Sequence, residues 1–173
     1  NLDDWPVSKG ELSSAIKSNA TFTKATLARL DTTSRGFHGI EYVLFSHNDA
    51  SDFSRNELSY LETAVEDLED NAENLLASWS GSKGFGETVV KANPNAAIAD
   101  ILAGMEGCLA EVADGKLGGA FDSSDIGELE SVFSGNTGSD IIFNISGVKT
   151  AWEKSRLSSY VELKDSALST KLS

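Results

Sequence analysis

One cysteine, one methionine and two prolines occur among 173 residues, and each scarcity excludes something. Cys108 alone cannot close an internal disulfide, and without a CxxC pair there is neither a thiol redox centre nor a cysteine zinc cage. A single thiol leaves the cellular compartment open. Pro6 and Pro94 both stand where a helix can begin rather than inside a periodic stretch, so long helices are permitted. No apolar run nears the roughly 18–20 residues of a membrane-spanning helix. Basic charge is scarce as well: 14 Lys plus Arg stand against 27 Asp plus Glu, a net charge of −13 and a pI near 4.4. That balance repels phosphates and anionic lipid, which argues against nucleic acid as a partner and against docking on anionic membranes. The opening Asn1-Leu2-Asp3-Asp4-Trp5-Pro6 has no basic or apolar region and is not itself an export signal. At 40% hydrophobic residues the chain is too apolar for disorder, and its 18.4 kDa suits one domain or two small bundles sharing an interface.

What is present is helical periodicity. Leu58, Leu61, Val65, Leu68, Ala72, Leu75 and Trp79 follow a spacing of three and four, one seam along a helix of about six turns. The pattern stops at Ser80-Gly81-Ser82-Lys83-Gly84, where glycine supplies a helix C-terminus. A second long helix is expected after Pro94, with Ile98, Ile101, Met105, Cys108 and Val112 on one face, ending near Asp114-Gly115. Ile141, Ile145, Val148 and Trp152 mark a third, and Val161, Leu168 and Leu172 a weaker last one. Leu12 and Ile16 suggest a short helix near the front, followed by a helix over residues 21–45. Nothing alternates with period two for long. The expected class is all-α, an antiparallel bundle or pair of bundles.

Three constellations bear on chemistry. Glu62, Glu66, Glu69 and Glu73 form an acidic stripe, read either as a solvated face or as a cation-collecting surface; the solvated face is the commoner outcome. Gly81-Ser82-Lys83-Gly84-Phe85-Gly86 lacks the Gly-Lys-Ser/Thr ending and the preceding strand of a phosphate loop, so it reads as a helix cap and turn. Cys108 falls on an apolar stripe and reads as a structural thiol. The third is Arg35-Gly36-Phe37-His38-Gly39-Ile40-Glu41-Tyr42-Val43-Leu44-Phe45. On a helix, His38 and Glu41 share a face, so an imidazole and a carboxylate can converge on one cation or one water, or simply hydrogen-bond inside a bundle. Gly36 and Gly39 each cost roughly 1 kcal/mol relative to Ala in a helix, tolerable where a neighbouring backbone or a ligand must come close.

The segment GFHGIEYVLF, with Gly36-x-His38-x-x-Glu41 inside it, resembles the GxHxxE signature of the imelysin family, also called insulin-cleaving membrane protease-like proteins. Three further landmarks follow that family's order: Asp4-Trp5-Pro6, the helix from Tyr60 to Trp79, and Glu130-Ser131-Val132-Phe133-Ser134-Gly135-Asn136-Thr137. The resemblance spans most of residues 1–173 as one helical domain, for which halves of about 1–80 and 95–173 sharing one cleft are an expectation. It implies an all-helical protein of the bacterial cell envelope, periplasmic or outer-membrane-associated as a lipoprotein, tied to iron uptake and to envelope iron-uptake proteins as partners. It also implies a metallopeptidase label, and further helices ahead of the Trp-Pro segment.

Carried over residue by residue, His38 and Glu41 are the signature pair, Gly36 is its glycine, and Arg35 and Tyr42 are neighbours able to orient the carboxylate. Glu130, Ser131, Ser134 and Asn136 match the second element, with Asp140 at a position where the family often has an acid. The resemblance thus implies a divalent metal, iron or zinc, held by His38, Glu41, Glu130 and Asp140, with Arg35, Gly36, Tyr42, Ser131, Ser134 and Asn136 around the ligand. As a peptidase, His38 and Glu41 would be the catalytic pair. The helical protease motif supplies two histidines at i,i+4, and this chain has none; its other histidine, His47, lies nine residues on. One histidine with carboxylates is a harder set, suited to iron, manganese or loosely held zinc, which ranks metal or ligand binding above proteolysis. Residues 41–48 and 130–136 also read alike with one residue deleted, an echo that suggests two related halves.

Overall fold

The computed structural model describes residues 2–18 and 21–171; Asn1 and Leu172 lie outside them. Among these residues the regular elements are helices: α1 (Lys9–Ser18), α2 (Lys24–Leu27), α3 (Gly36–Leu44), α4 (Arg55–Trp79), α5 (Pro94–Ala110), α6 (Gly119–Ser123), α7 (Thr137–Lys154), α8 (Leu157–Lys164) and α9 (Ser166–Lys171). The all-α expectation holds. No helix of the described residues is long and apolar enough to cross a membrane. The chain forms two compact units, residues 1–86 with 130–136, and residues 87–129 with 137–173.

In the first unit the core is drawn from four helices. Leu12 and Ile16 of α1, Leu27 of α2, Val43 of α3, and Tyr60 and Ala64 of α4 close on one another, joined by Val7 and Phe22 from the connecting segments. Each fully buried side chain of this size contributes about 1.5–3 kcal/mol. A capping box starts α4, with the Ser54 hydroxyl accepting from the Glu57 N–H and the Glu57 carboxylate accepting from the Ser54 N–H. The expected seam is not the face α4 buries: Leu61 and Leu68 are partly covered, Leu58, Val65, Leu75 and Trp79 are about half exposed, at 47%, 50%, 48% and 53%, and the buried positions are Tyr60, Thr63 and Ala64. Glu62, Glu66, Glu69 and Glu73 are all exposed, the solvated face of that helix.

The single helix expected over residues 21–45 is instead three pieces: α2, a 3-10 turn at Thr32–Ser34, and α3. The run Asp31-Thr32-Thr33-Ser34 offers side-chain oxygens and β-branches that compete with a helical backbone. Gly36 then opens α3 from a φ of +82°, a left-handed conformation natural to glycine.

In the second unit α5 packs on α7, and α7 leads through α8 to α9. The expected end of α5 near Asp114-Gly115 is not where the helical path stops. It widens into a π-helical stretch at Glu111–Gly118 and continues through α6, because the left-handed residue that terminates it is Ser124, at φ +56°, rather than Gly115. Ile141, Ile145, Val148 and Trp152 lie on α7 as read. Cys108 is partly buried beside Met105 along a groove of about 350 Å³ lined also by Gly147 and Val148 of α7. Ala97, Val112 and Leu157 are this unit's buried hydrophobic residues among those described.

Candidate metal centre

Helix α3 begins with N–H groups that have no partner within the helix, and the N-terminal segment supplies them. The Phe37 N–H donates to the Leu2 carbonyl at 3.2 Å, and the His38 N–H donates to Asp3 Oδ1 at 3.0 Å. An anion at a helix N-terminus is favoured by the helix dipole. The strap is tied at its next residue too, where Thr32 Oγ1 donates to Asp4 Oδ2 at 2.5 Å. The signature glycine Gly36 and its neighbour Gly39 both stand where another group comes close. A Cβ at Gly36 would sit 2.3 Å from the Leu2 carbonyl oxygen, and one at Gly39 2.7 Å from the Tyr60 hydroxyl. That hydroxyl donates to the Ser34 carbonyl at 3.0 Å, and burial pushes its ionisation up.

His38 is 6% exposed and clasped on both edges of its ring. Its Nδ1 meets Asp3 Oδ2 in a close ion pair, while Nε2 lies 3.6 Å from Glu130 Oε1 and 3.4 Å from Ser131 Oγ. Trp5 covers the ring at 5.0 Å between centroids. Burial lowers the His38 pKa, but the hydrogen bond and charge of Asp3, followed by the charges of Glu130 and Glu41, outweigh it and raise the pKa above 6.5.

Glu41, nearly one turn along α3, binds the second element. Its Oε1 accepts from the Ser134 N–H at 2.8 Å and from Ser134 Oγ at 2.6 Å. Its Oε2 is buried with no hydrogen-bond partner among the described residues. The turn carrying Ser134 is closed by the Asn136 N–H, which donates to the Ser131 carbonyl at 3.2 Å, and Ser131 itself takes the left-handed φ of +54°. Phe133 stacks edge-on against Tyr42 at 5.1 Å, and the Tyr42 hydroxyl pairs with Ser13 Oγ at 3.2 Å. Arg35 is the N-cap residue of α3, its Nε buried without a hydrogen-bond partner among the described residues.

The structure therefore brings Glu130, Ser131 and Ser134 against His38 and Glu41, with Tyr42 packed behind and Asn136 shaping the turn. Asp140 lies in the first turn of α7, in the other unit. His47 follows the end of α3 and pairs through Nε2 with Glu57 Oε1 at 3.0 Å. Asp3 was not anticipated; its signal was the acid pair flanking Trp5-Pro6, a segment without periodicity to weigh. One ligand atom each from Asp3, His38 and Glu130 lies within 4.8 Å of the others, a cluster able to hold a metal ion. One imidazole with two carboxylates suits iron, manganese or zinc, so the donor set fits such a cation.

Fold and site together define an all-helical protein with a buried histidine clasped by carboxylates at the start of one short helix. The imelysin family model matches residues 1–173, and the chain belongs to the imelysin family. Among curated proteins, "Iron-regulated protein A" of Synechococcus elongatus is 28% identical over 162 residues, covering 87% of this chain and 42% of that protein. The chain thus spans about two-fifths of that relative's length, the 42% just given. No solved structure matches this chain.

Proposed function

We propose that this protein binds a divalent metal ion, or a ligand bearing one, at the cluster of Asp3, His38 and Glu130, in connection with iron uptake in the bacterial cell envelope. The observation that carries the reading is the cluster itself: a buried imidazole facing two carboxylates within 4.8 Å. Such a site supplies a fixed, partly dehydrated cage of hard donors. The name of the cyanobacterial relative supports the link to iron, and the excess of acidic residues raises the local cation concentration. The envelope location follows the family resemblance. Calorimetric titration of the full chain with Fe(II), under exclusion of air, and with Mn(II) and Zn(II) tests the reading. Saturable uptake of one ion per chain is expected, and it is lost when His38→Ala is combined with Glu130→Ala. Absence of uptake, or uptake that survives both substitutions, overturns it.

One observation favours a second reading, peptide hydrolysis. Glu41 Oε2 is a buried carboxylate oxygen without a hydrogen-bond partner among the described residues, able to accept a proton from a water activated nearby. Chelator-sensitive cleavage of a peptide library, abolished in a folded Glu41→Gln variant, is the required result. The first reading ranks ahead because one histidine reaches the site while His47 is engaged with Glu57.

A further inference from the structure

Asp3, His38 and Glu130 are equivalent members of the cluster by distance, but not by geometry. The two nitrogens of an imidazole point in diverging directions, so a single cation bonds to one of them. Asp3 is anchored to His38 by two contacts, one on the ring and one on the backbone: Oδ2 pairs with Nδ1, and Oδ1 accepts the His38 backbone N–H at 3.0 Å. The Gly36 turn presses the strap against α3, where a Cβ would stand 2.9 Å from the Asp3 Cα, so this carboxylate has little freedom to swing away. On the other edge the contacts are looser. Nε2 is 3.6 Å from Glu130 Oε1 and 3.4 Å from Ser131 Oγ, longer than an ordinary hydrogen bond. Two donor atoms sharing one first-row cation, each bonded at about 2.0–2.2 Å, stand about 3–3.5 Å apart, close to the separation of Nε2 and Glu130 Oε1.

Resting on the metal-binding reading above, we infer that Asp3 is a positioning residue rather than a ligand: it holds Nδ1–H, leaving the Nε2 lone pair to bind the cation together with Glu130. A carboxylate on the far nitrogen fixes the tautomer and ring orientation and makes the ligating nitrogen more basic. The left-handed Ser131 and the pinning of Ser134 by Glu41 then serve to present Glu130 on the Nε2 side.

The test uses the full chain labelled with 15N at histidine and loaded with Zn(II) as a diamagnetic probe. Long-range 15N–1H correlation is expected to show His38 protonated at Nδ1 and metallated at Nε2; metallation at Nδ1 overturns the inference. In Asp3→Asn, which keeps an oxygen facing Nδ1–H but loses the charge, Zn(II) affinity is expected to fall about 10–100-fold. Stoichiometry and the number of oxygen ligands by X-ray absorption are expected to be unchanged, and Asp3→Glu is expected to recover part of the affinity. Loss of one oxygen ligand in Asp3→Asn makes Asp3 a ligand and overturns the inference while leaving the metal-binding reading intact. No Zn(II) uptake by the unsubstituted chain, or uptake with the His38 resonances unmoved, sinks both together. The tautomer measurement needs no variant, so it decides the matter even if Asp3→Asn folds poorly.

Discussion

On the proposed metal-binding reading, a proton and a cation compete for the His38 imidazole. Burial lowers its pKa, but the Asp3 hydrogen bond and the charges of Asp3, Glu130 and Glu41 raise it above the ordinary 6.5. A histidine whose folded pKa exceeds its unfolded one lends stability that is complete below the unfolded value and vanishes as pH rises through the folded value. Denaturant titrations of the metal-free protein across that window are expected to show stability falling with rising pH, a slope absent from His38→Gln. If the proposed site binds a cation, its affinity is expected to rise over the same window, since a ligating imidazole nitrogen must lose its proton. The glycines give a second, contrasting prediction. Gly36→Ala meets the Leu2 carbonyl from a φ of +82° and is expected to cost at least about 2 kcal/mol in urea unfolding. Gly81→Ala, at φ +76° with nothing within 4 Å, carries only the left-handed penalty of about 1–2 kcal/mol.

Among the elements, α4 is the most legible as a helix, because its apolar spacing is long and its start carries a capping box that depends only on neighbours in sequence, but the face it buries, Tyr60, Thr63 and Ala64, is set by packing against α1–α3 and is not the predicted seam. The α3 motif was legible as residues, and the reason for its glycines was not. What approaches Gly39 is Tyr60, 21 positions on, and what approaches Gly36 is the strap, contacts that no local pattern encodes. The break between α2 and α3 was missed because the apolar residues Leu27, Leu30 and Phe37 keep a helical rhythm across a segment whose polar side chains end the helix. Asp3 escaped for a similar reason, having no periodic context at all. The tie between α4 and the turn ahead of α3 is testable on its own. Tyr60→Phe keeps the ring in the core and strands the Ser34 carbonyl, with an expected loss of about 1–3 kcal/mol in thermal or urea unfolding.

For the whole molecule, burial is unevenly spread. Eight hydrophobic residues form the buried cluster of the first unit, whereas Phe121, Ile142, Phe143 and Leu163 of the second are each more than 60% exposed. Hydrogen exchange is expected to be slowest in α3 and the first half of α4 and faster in α5 and α7, since protection follows buried contacts; equal protection in both sets would contradict this account of the core. One feature of the first unit also bears on how the protein is made. Ser134 reaches Glu41 from 93 positions further along, and the chain enters this unit for residues 130–136 only after residues 87–129 have left it. A ribosome delivers α3 and the strap long before it delivers Glu130, so the nascent chain must wait, with Glu41 lacking Ser134 and His38 lacking one carboxylate neighbour. Closing so long a loop carries an entropic cost that grows slowly with its length. Completion of the Asp3–His38–Glu130 cluster therefore waits for residue 130, and a chain interrupted before it would carry the signature motif without Glu130 and Ser134 beside it.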